Sequence, residues 1–284
     1  MTQVLLCISR DACARIDDLA VTALIAEVAL YPKAGLVSLV DNGAHRDMDA
    51  ATFLRSASAL KGYFAAMARA GSEGGDFAAL NAIGRAAEAR MFAATGGINT
   101  HRGAVFSLGL LAAAAGVALA YGETSPEAVC RILAGRWGAA ILSARTAPDR
   151  SHGAEVRSRY GAPGAREEAT AGFPTILLHT LPAFRATREN GGSHGEAALD
   201  AFYAGMAILE DNNLLYRAGP DGLAEAQELA DAFLRAGGIL APGGFARAQA
   251  LHRHFTTRRL SPGGSADLLA ATLFLTAFEE AAWA

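Results

Sequence analysis

The chain has 284 residues, 52% of them hydrophobic but only 7% aromatic, and a formal charge of −3 at neutral pH. That length can bury a sizeable core, while the small negative charge excludes general attraction to nucleic acid or to an anionic membrane, so any anion site must be local. Cys7, Cys13 and Cys130 have neither paired spacing nor histidines at metal-ligand spacing, which argues against a disulfide framework or zinc and for a reducing, cytoplasmic compartment.

Residues 1–10 lack the basic lead of a signal peptide, and residues 11–18 add acid where an apolar core should continue. Residues 4–8 can pass for a strand, but one with no partner. From 11 to 30 the period is helical, with Ile16, Leu19, Ala23 and Ala26 at three- and four-residue steps, and similar spacing recurs over 53–67 and 80–94. Between the first two helices lies a polar cluster, Tyr31 to Val37 running on into Asp41 to Asp49.

A second cluster, Thr95-Gly96-Gly97-Ile98-Asn99-Thr100-His101-Arg102-Gly103, directly precedes an alanine-rich apolar helix predicted over 104–121. A turn so placed would direct backbone N–H groups and the positive end of the helix dipole at a bound anion. Helix capping by Thr100 would explain one or two of these residues, but not Asn99, His101 and Arg102 together. The 104–121 helix is at the lower edge of a spanning length and too poor in large apolar residues to insert strongly, so it is expected at the centre of a bundle, not in a membrane.

Glycine and proline then punctuate the chain at 122–126, Pro148, 161–164, 191–195, 219–222 and 237–244. A third cluster, Ser261-Pro262-Gly263-Gly264-Ser265-Ala266-Asp267, opens the last helix. No sustained two-residue alternation and no flexible linker appear. The chain therefore reads as all-α, a single domain over 1–284 of roughly ten helices.

These clusters carry a resemblance. Lys33 with Gly35-Leu36-Val37, Asn42-Gly43-Ala44-His45 with Asp47-Met48, the 96–103 turn, and Pro262 to Ala270 together resemble the triphosphoribosyl-dephospho-CoA synthase family. The match also takes in Gly84, Glu88 and Met91, Gly164 to Ala169 with Gly172-Phe173-Pro174, and Asp211 to Leu214. Ala34 departs from the family's usual proline. Ser38-Leu39-Val40-Asp41 looks more like the branch serving malonate decarboxylase than the one serving citrate lyase.

The resemblance implies that the ribose 2′-hydroxyl of 3′-dephospho-CoA displaces adenine from the anomeric carbon of ATP, the triphosphate staying on the product, which goes to a holo-acyl-carrier-protein synthase. A homodimer is left open. Such a displacement passes through an oxocarbenium-like transition state and calls for a nearby carboxylate, a base for the hydroxyl and a proton for the purine. Asp41, His45, Asp47, Glu88 and Asp267 are the candidate catalytic groups, with Asp41 and Asp47 also expected to hold Mg²⁺. Lys33, His101 and Arg102 are expected on phosphates, aided by the N–H groups of Gly96, Gly97, Gly263 and Gly264. Asn42, Asn99, Thr100, Asp211, Asn212 and Ser265 complete the substrate contacts.

Other charges take the plainer reading. Arg55 fits a surface ion pair as well as a phosphate contact, and His252, Arg253, His254, Arg258 and Arg259 read as a solvated helix face. His152, His179 and His194 receive no role. A helical hydrolase of ADP-ribosyl or nucleotide groups is the rival enzyme class, with water as acceptor. A helical scaffold without activity would need none of the polar turns.

Overall fold

The computed structural model describes residues 7–144 and 152–283. Thirteen α-helices occupy the described residues, and no strand does. They run α1 (Arg10–Ala29), α2 (Ala50–Ala59), α3 (Tyr63–Ser72), α4 (Phe77–Thr95), α5 (Arg102–Ala120), α6 (Pro126–Ser143), α7 (His152–Tyr160) and α8 (Ala165–Thr170). After a π-helical turn at Ile176–Thr180 come α9 (Leu181–Glu189), α10 (His194–Met206), α11 (Asn212–Arg235), α12 (Gly244–Arg258) and α13 (Gly263–Glu280). The possible strand falls mostly on residues 4–6, outside the described residues, as does Pro148.

Local chemistry sets most helix starts. Ser9, Asp49, Asp76, Ser125, Ser193 and Asp211 each accept a first-turn N–H with the side chain, satisfying a donor that the helix itself cannot. The periodic segment 53–67, expected as one helix, is two. Asp17, reaching across from α1, accepts from the N–H groups of Gly62, Phe64 and Ala65, and so caps α3 from another helix.

Helix α5 is apolar on every side and lies in the middle of the protein, packed by α1, α3, α6 and α13. It is long and apolar enough to cross a membrane, yet 78% of its most apolar window is buried against these neighbours. Its seam with α3 is tight. A Cβ on Gly71 of α3 would lie 2.2 Å from Ala113 O of α5, and one on Gly116 of α5 would lie 2.2 Å from Ala68 O of α3. Side chains as large as alanine are therefore excluded at both positions, and the two backbones meet directly. Leu108 and Leu111 are fully buried on α5, each contributing roughly 2 kcal/mol or more by leaving water. The starts of α5 and α13 lie beside the loop between α1 and α2, which brings the three polar clusters together.

Candidate active site

The α1–α2 loop is held down by α12. His252 places Nδ1 2.5 Å from Lys33 O and Nε2 2.9 Å from Asp41 Oδ1. The ring thus bridges the Lys33 carbonyl and the Asp41 carboxylate and ties two points of the loop to α12. This corrects the reading of 252–259 as one solvated face. Ala248, His252 and Phe255 are buried at helical spacing, while Arg253, His254, Arg258 and Arg259 stay outside. That period was available in the sequence, hidden under the run of basic residues.

The same loop meets the third cluster through His45, whose Nε2 lies 2.8 Å from Ser261 Oγ. Its Nδ1 faces Arg217 at 3.3 Å and Asp47 at 3.5 Å. Burial, reinforced by the Arg217 charge, lowers the His45 pKa below the ordinary histidine value, so the ring is neutral at physiological pH and can accept a proton. Asp41, Asn42 and Asp47 are exposed around it. Asn42 turns the loop by accepting His45 N–H on its carbonyl, 3.0 Å away.

Beneath this mouth lies a buried polar layer. Lys33, expected on phosphate, is 1% exposed and bonds the carboxylate and the carbonyl of Glu27. Burial lowers its pKa, and Glu27 acts against that shift. His101 is equally interior. Its Nδ1 lies 2.7 Å from Ser56 Oγ, which also accepts from Thr100 Oγ1, and its Nε2 has no partner among the described residues. Burial first, then the nearby Lys33 charge, pushes the His101 pKa down to about 3, so it is a neutral imidazole and not the phosphate-binding cation expected from sequence.

The helix starts expected to cradle anions are already filled by the chain's own carboxyls. Gly264 and Ser265 N–H groups point to Asp211, with Ser265 N at 2.8 Å, and Asp211 also caps α11 through Asn213 N at 2.9 Å. Gly263 N–H goes to Ser261 O. At α5, Asp267 sits against Gly103, where a Cβ would be 2.0 Å from its Oδ2, and takes the Ala104 N–H. Burial, then the charges of Glu27 and Asp211, raise the Asp267 pKa well above the usual carboxylate range. The N–H groups of Gly96 and Gly97 both go to Phe92 O, closing α4 instead of facing a ligand.

Arg102 and Glu88 form an ion pair of 2.8 Å on the other flank of the α5 start, at a cavity between α3, α4 and α5. Asn99 is exposed beside this turn. Asn212 points away from the cluster towards Gly164, and its Oδ1 is buried without a partner among the described residues. Arg55 is exposed and donates to the hydroxyl of the buried Thr52 at 3.2 Å. The His152 side chain lies outside the described residues. Glu27, Ser56 and Arg217 belong to the cluster and escaped the sequence reading, which had placed Ser261 in the third cluster without a role. Each is an ordinary residue of a helix or turn until the fold supplies its neighbour.

Lys33, Asp41, His45, His101, Ser261 and Asp267 are thus linked by contacts or near neighbours into one place built from three distant segments. Comparison with known proteins names a family. The family model described as ATP:dephospho-CoA triphosphoribosyl transferase matches residues 13–284. A protein of Pseudomonas putida is 44% identical over 90% of this chain and 92% of its own length. One of Stutzerimonas stutzeri is 44% identical over 96% and 94%, and one of Azotobacter vinelandii 46% identical over 93% and 91%. All three are named "Probable 2-(5''-triphosphoribosyl)-3'-dephosphocoenzyme-A synthase". No solved structure matches. With the family model spanning nearly the whole chain and relatives of this identity covering it end to end, the chain belongs to the ATP:dephospho-CoA triphosphoribosyl transferase family.

Proposed function

We propose that the protein moves the 5-triphosphoribosyl group of ATP to the 2′-hydroxyl of 3′-dephospho-CoA, releasing adenine and forming 2′-(5″-triphosphoribosyl)-3′-dephospho-CoA. The observation that carries this reading is a neutral histidine and a carboxyl of raised pKa gathered at one helix start: His45 on Ser261, and Asp267 six residues further on against the start of α5. Transfer between two hydroxyl-bearing sugars needs both a base and an acid, with pKa values set apart by their surroundings. His45 takes the proton of the attacking hydroxyl, oriented by Ser261 and Arg217. Asp267 supplies the proton to the departing purine.

Arg217, exposed beside His45, adds a cation for the triphosphate that the sequence reading had sought in Lys33. Asp41 and Asp47 are exposed carboxylates on that loop, hard oxygen donors of the kind that share Mg²⁺ with phosphate oxygens. Bound there, the ion would neutralise charge on the triphosphate. Ser38 to Asp41 support service to malonate decarboxylase over citrate lyase. Disrupting the gene in its source organism should then abolish malonate decarboxylation and spare citrate lyase.

Incubation with ATP, with and without dephospho-CoA, tests the reaction. Adenine release that depends on the acceptor, with a product of the summed mass less adenine, is expected. Equal release without the acceptor would overturn transfer in favour of hydrolysis.

A further inference from the structure

The cavity between α3, α4 and α5 has apolar walls from Tyr63, Phe77 and Phe106 and a polar rim of Asn81, Glu88 and Arg102. It opens past Arg85, which is exposed. Tyr63 is fixed as a wall. Its hydroxyl donates to Val105 O at 2.8 Å, and its ring passes so close to Gly109 that a Cβ there would lie 1.9 Å from the hydroxyl oxygen.

Gly84 is the unexplained residue of this lining. It stands in the middle of α4, where glycine is a poor helix former, and no crowding requires it. A Cβ there would meet only the Tyr63 hydroxyl, at an ordinary 3.5 Å. What the missing side chain leaves open is the cavity itself. Arg102 and Phe106, four residues apart on α5, line it, while Gly103 between them turns its other side to Asp267. The cavity and that carboxyl therefore flank the same helical turn.

We propose that this cavity binds an adenine ring, with Gly84 kept bare to admit it and the Glu88 carboxylate accepting from the exocyclic amino group. Aromatic walls suit a flat heterocycle, and a carboxylate at the rim favours an amino-bearing purine over one that presents a carbonyl. The inference rests on the proposed reaction, in which both ATP and dephospho-CoA carry adenine.

The test uses the full chain. Gly84→Ala and Gly84→Leu should weaken adenosine binding by about tenfold and more than a hundredfold respectively, the scale on which a pocket rejects added methyl and larger groups. Gly84→Ala should at the same time unfold at a higher temperature than the parent, because alanine favours the helix. A loss of binding beside a gain in stability cannot come from misfolding. In steady-state assays the rise in KM should fall on one substrate: on ATP if the cavity holds the donor's base, on dephospho-CoA if it holds the acceptor's. Glu88→Gln should raise inosine binding relative to adenosine, because its amide can donate to the purine carbonyl. Unchanged adenosine affinity in both Gly84 variants, or an unaltered adenosine-to-inosine ratio in Glu88→Gln, would overturn the assignment. If the parent enzyme releases no adenine with both substrates present, the proposed reaction fails, whereas adenosine binding still reads the cavity.

Discussion

Asp211, buried, and Asp267, half-buried, both lie at helix starts in the same cluster, yet they are held differently. Asp211 is surrounded by donors: the N–H groups of Asn213, Gly264 and Ser265, and the Ser265 hydroxyl at 3.1 Å. Asp267 receives one backbone N–H, from Ala104, and looks out on two other acids, Glu27 and Asp211. Burial raises the pKa of both, but around Asp211 the hydrogen bonds act against that shift, whereas around Asp267 the neighbouring charges add to it. Burial alone therefore does not distinguish a carboxyl that builds the fold from one that stores a proton. The company of donors or of acids does.

The comparison can be broken most directly at Asp211. Asp211→Ala leaves several buried N–H groups unpaired and uncaps α11 and α13, and should cost about 3 to 5 kcal/mol of folding stability by denaturant titration. A variant as stable as the parent would show that those donors find other partners. Asp267→Asn, by contrast, keeps the shape of a carboxyl whose pKa burial and the neighbouring acids raise, and removes its proton. Turnover should fall about a hundredfold or more, while the unfolding midpoint at pH 7 should not fall and should rise, because Asn cannot ionise on unfolding. Retained turnover would remove Asp267 as the acid.

The pH dependence of stability sharpens the contrast. For Asp267 the folded pKa lies above the unfolded one, so its contribution is complete below the ordinary carboxylate pKa and is lost as pH rises through the folded value. Asp267→Asn should therefore gain on the parent as pH rises. His101 runs the other way. Its folded pKa of about 3 lies below the unfolded 6.5, so the stability it contributes is present above 6.5 and is lost as pH falls from there towards 3. The slope should reach about 1.4 kcal/mol per pH unit and should be absent in His101→Asn, measured by thermal unfolding from pH 7 to pH 4. An unchanged slope would mean that His101 is not buried neutral.

The all-helical character and the central place of α5 were legible because a helix apolar on every side has nowhere else to go. The convergence of three polar clusters was legible too, since one reaction must gather its groups. The partners within the cluster were not. Sequence placed Lys33 and His101 on phosphate by charge, but neither Glu27 six residues before Lys33 nor Ser56 forty-five residues before His101 could be recognised as the group that holds it inside. Likewise Asp17 cuts a continuous helical period at residues 60–62 from a different helix, an effect that no local pattern records. The glycines at 96 and 97 show the converse: a turn rich in N–H groups turned out to spend them on its own helix.

The α3–α5 seam decides which parts can move. Gly71 and Gly116 each bring one backbone against a carbonyl of the other, so any sliding of these helices along their axes drives main chain into main chain. Two walls of the adenine cavity are locked together like the fixed jaw of a vice. The third wall, α4, has no such backbone contact at Gly84, where a Cβ would find only the Tyr63 hydroxyl at 3.5 Å, so the width of the cavity is set on that side by side chains and not by main chain.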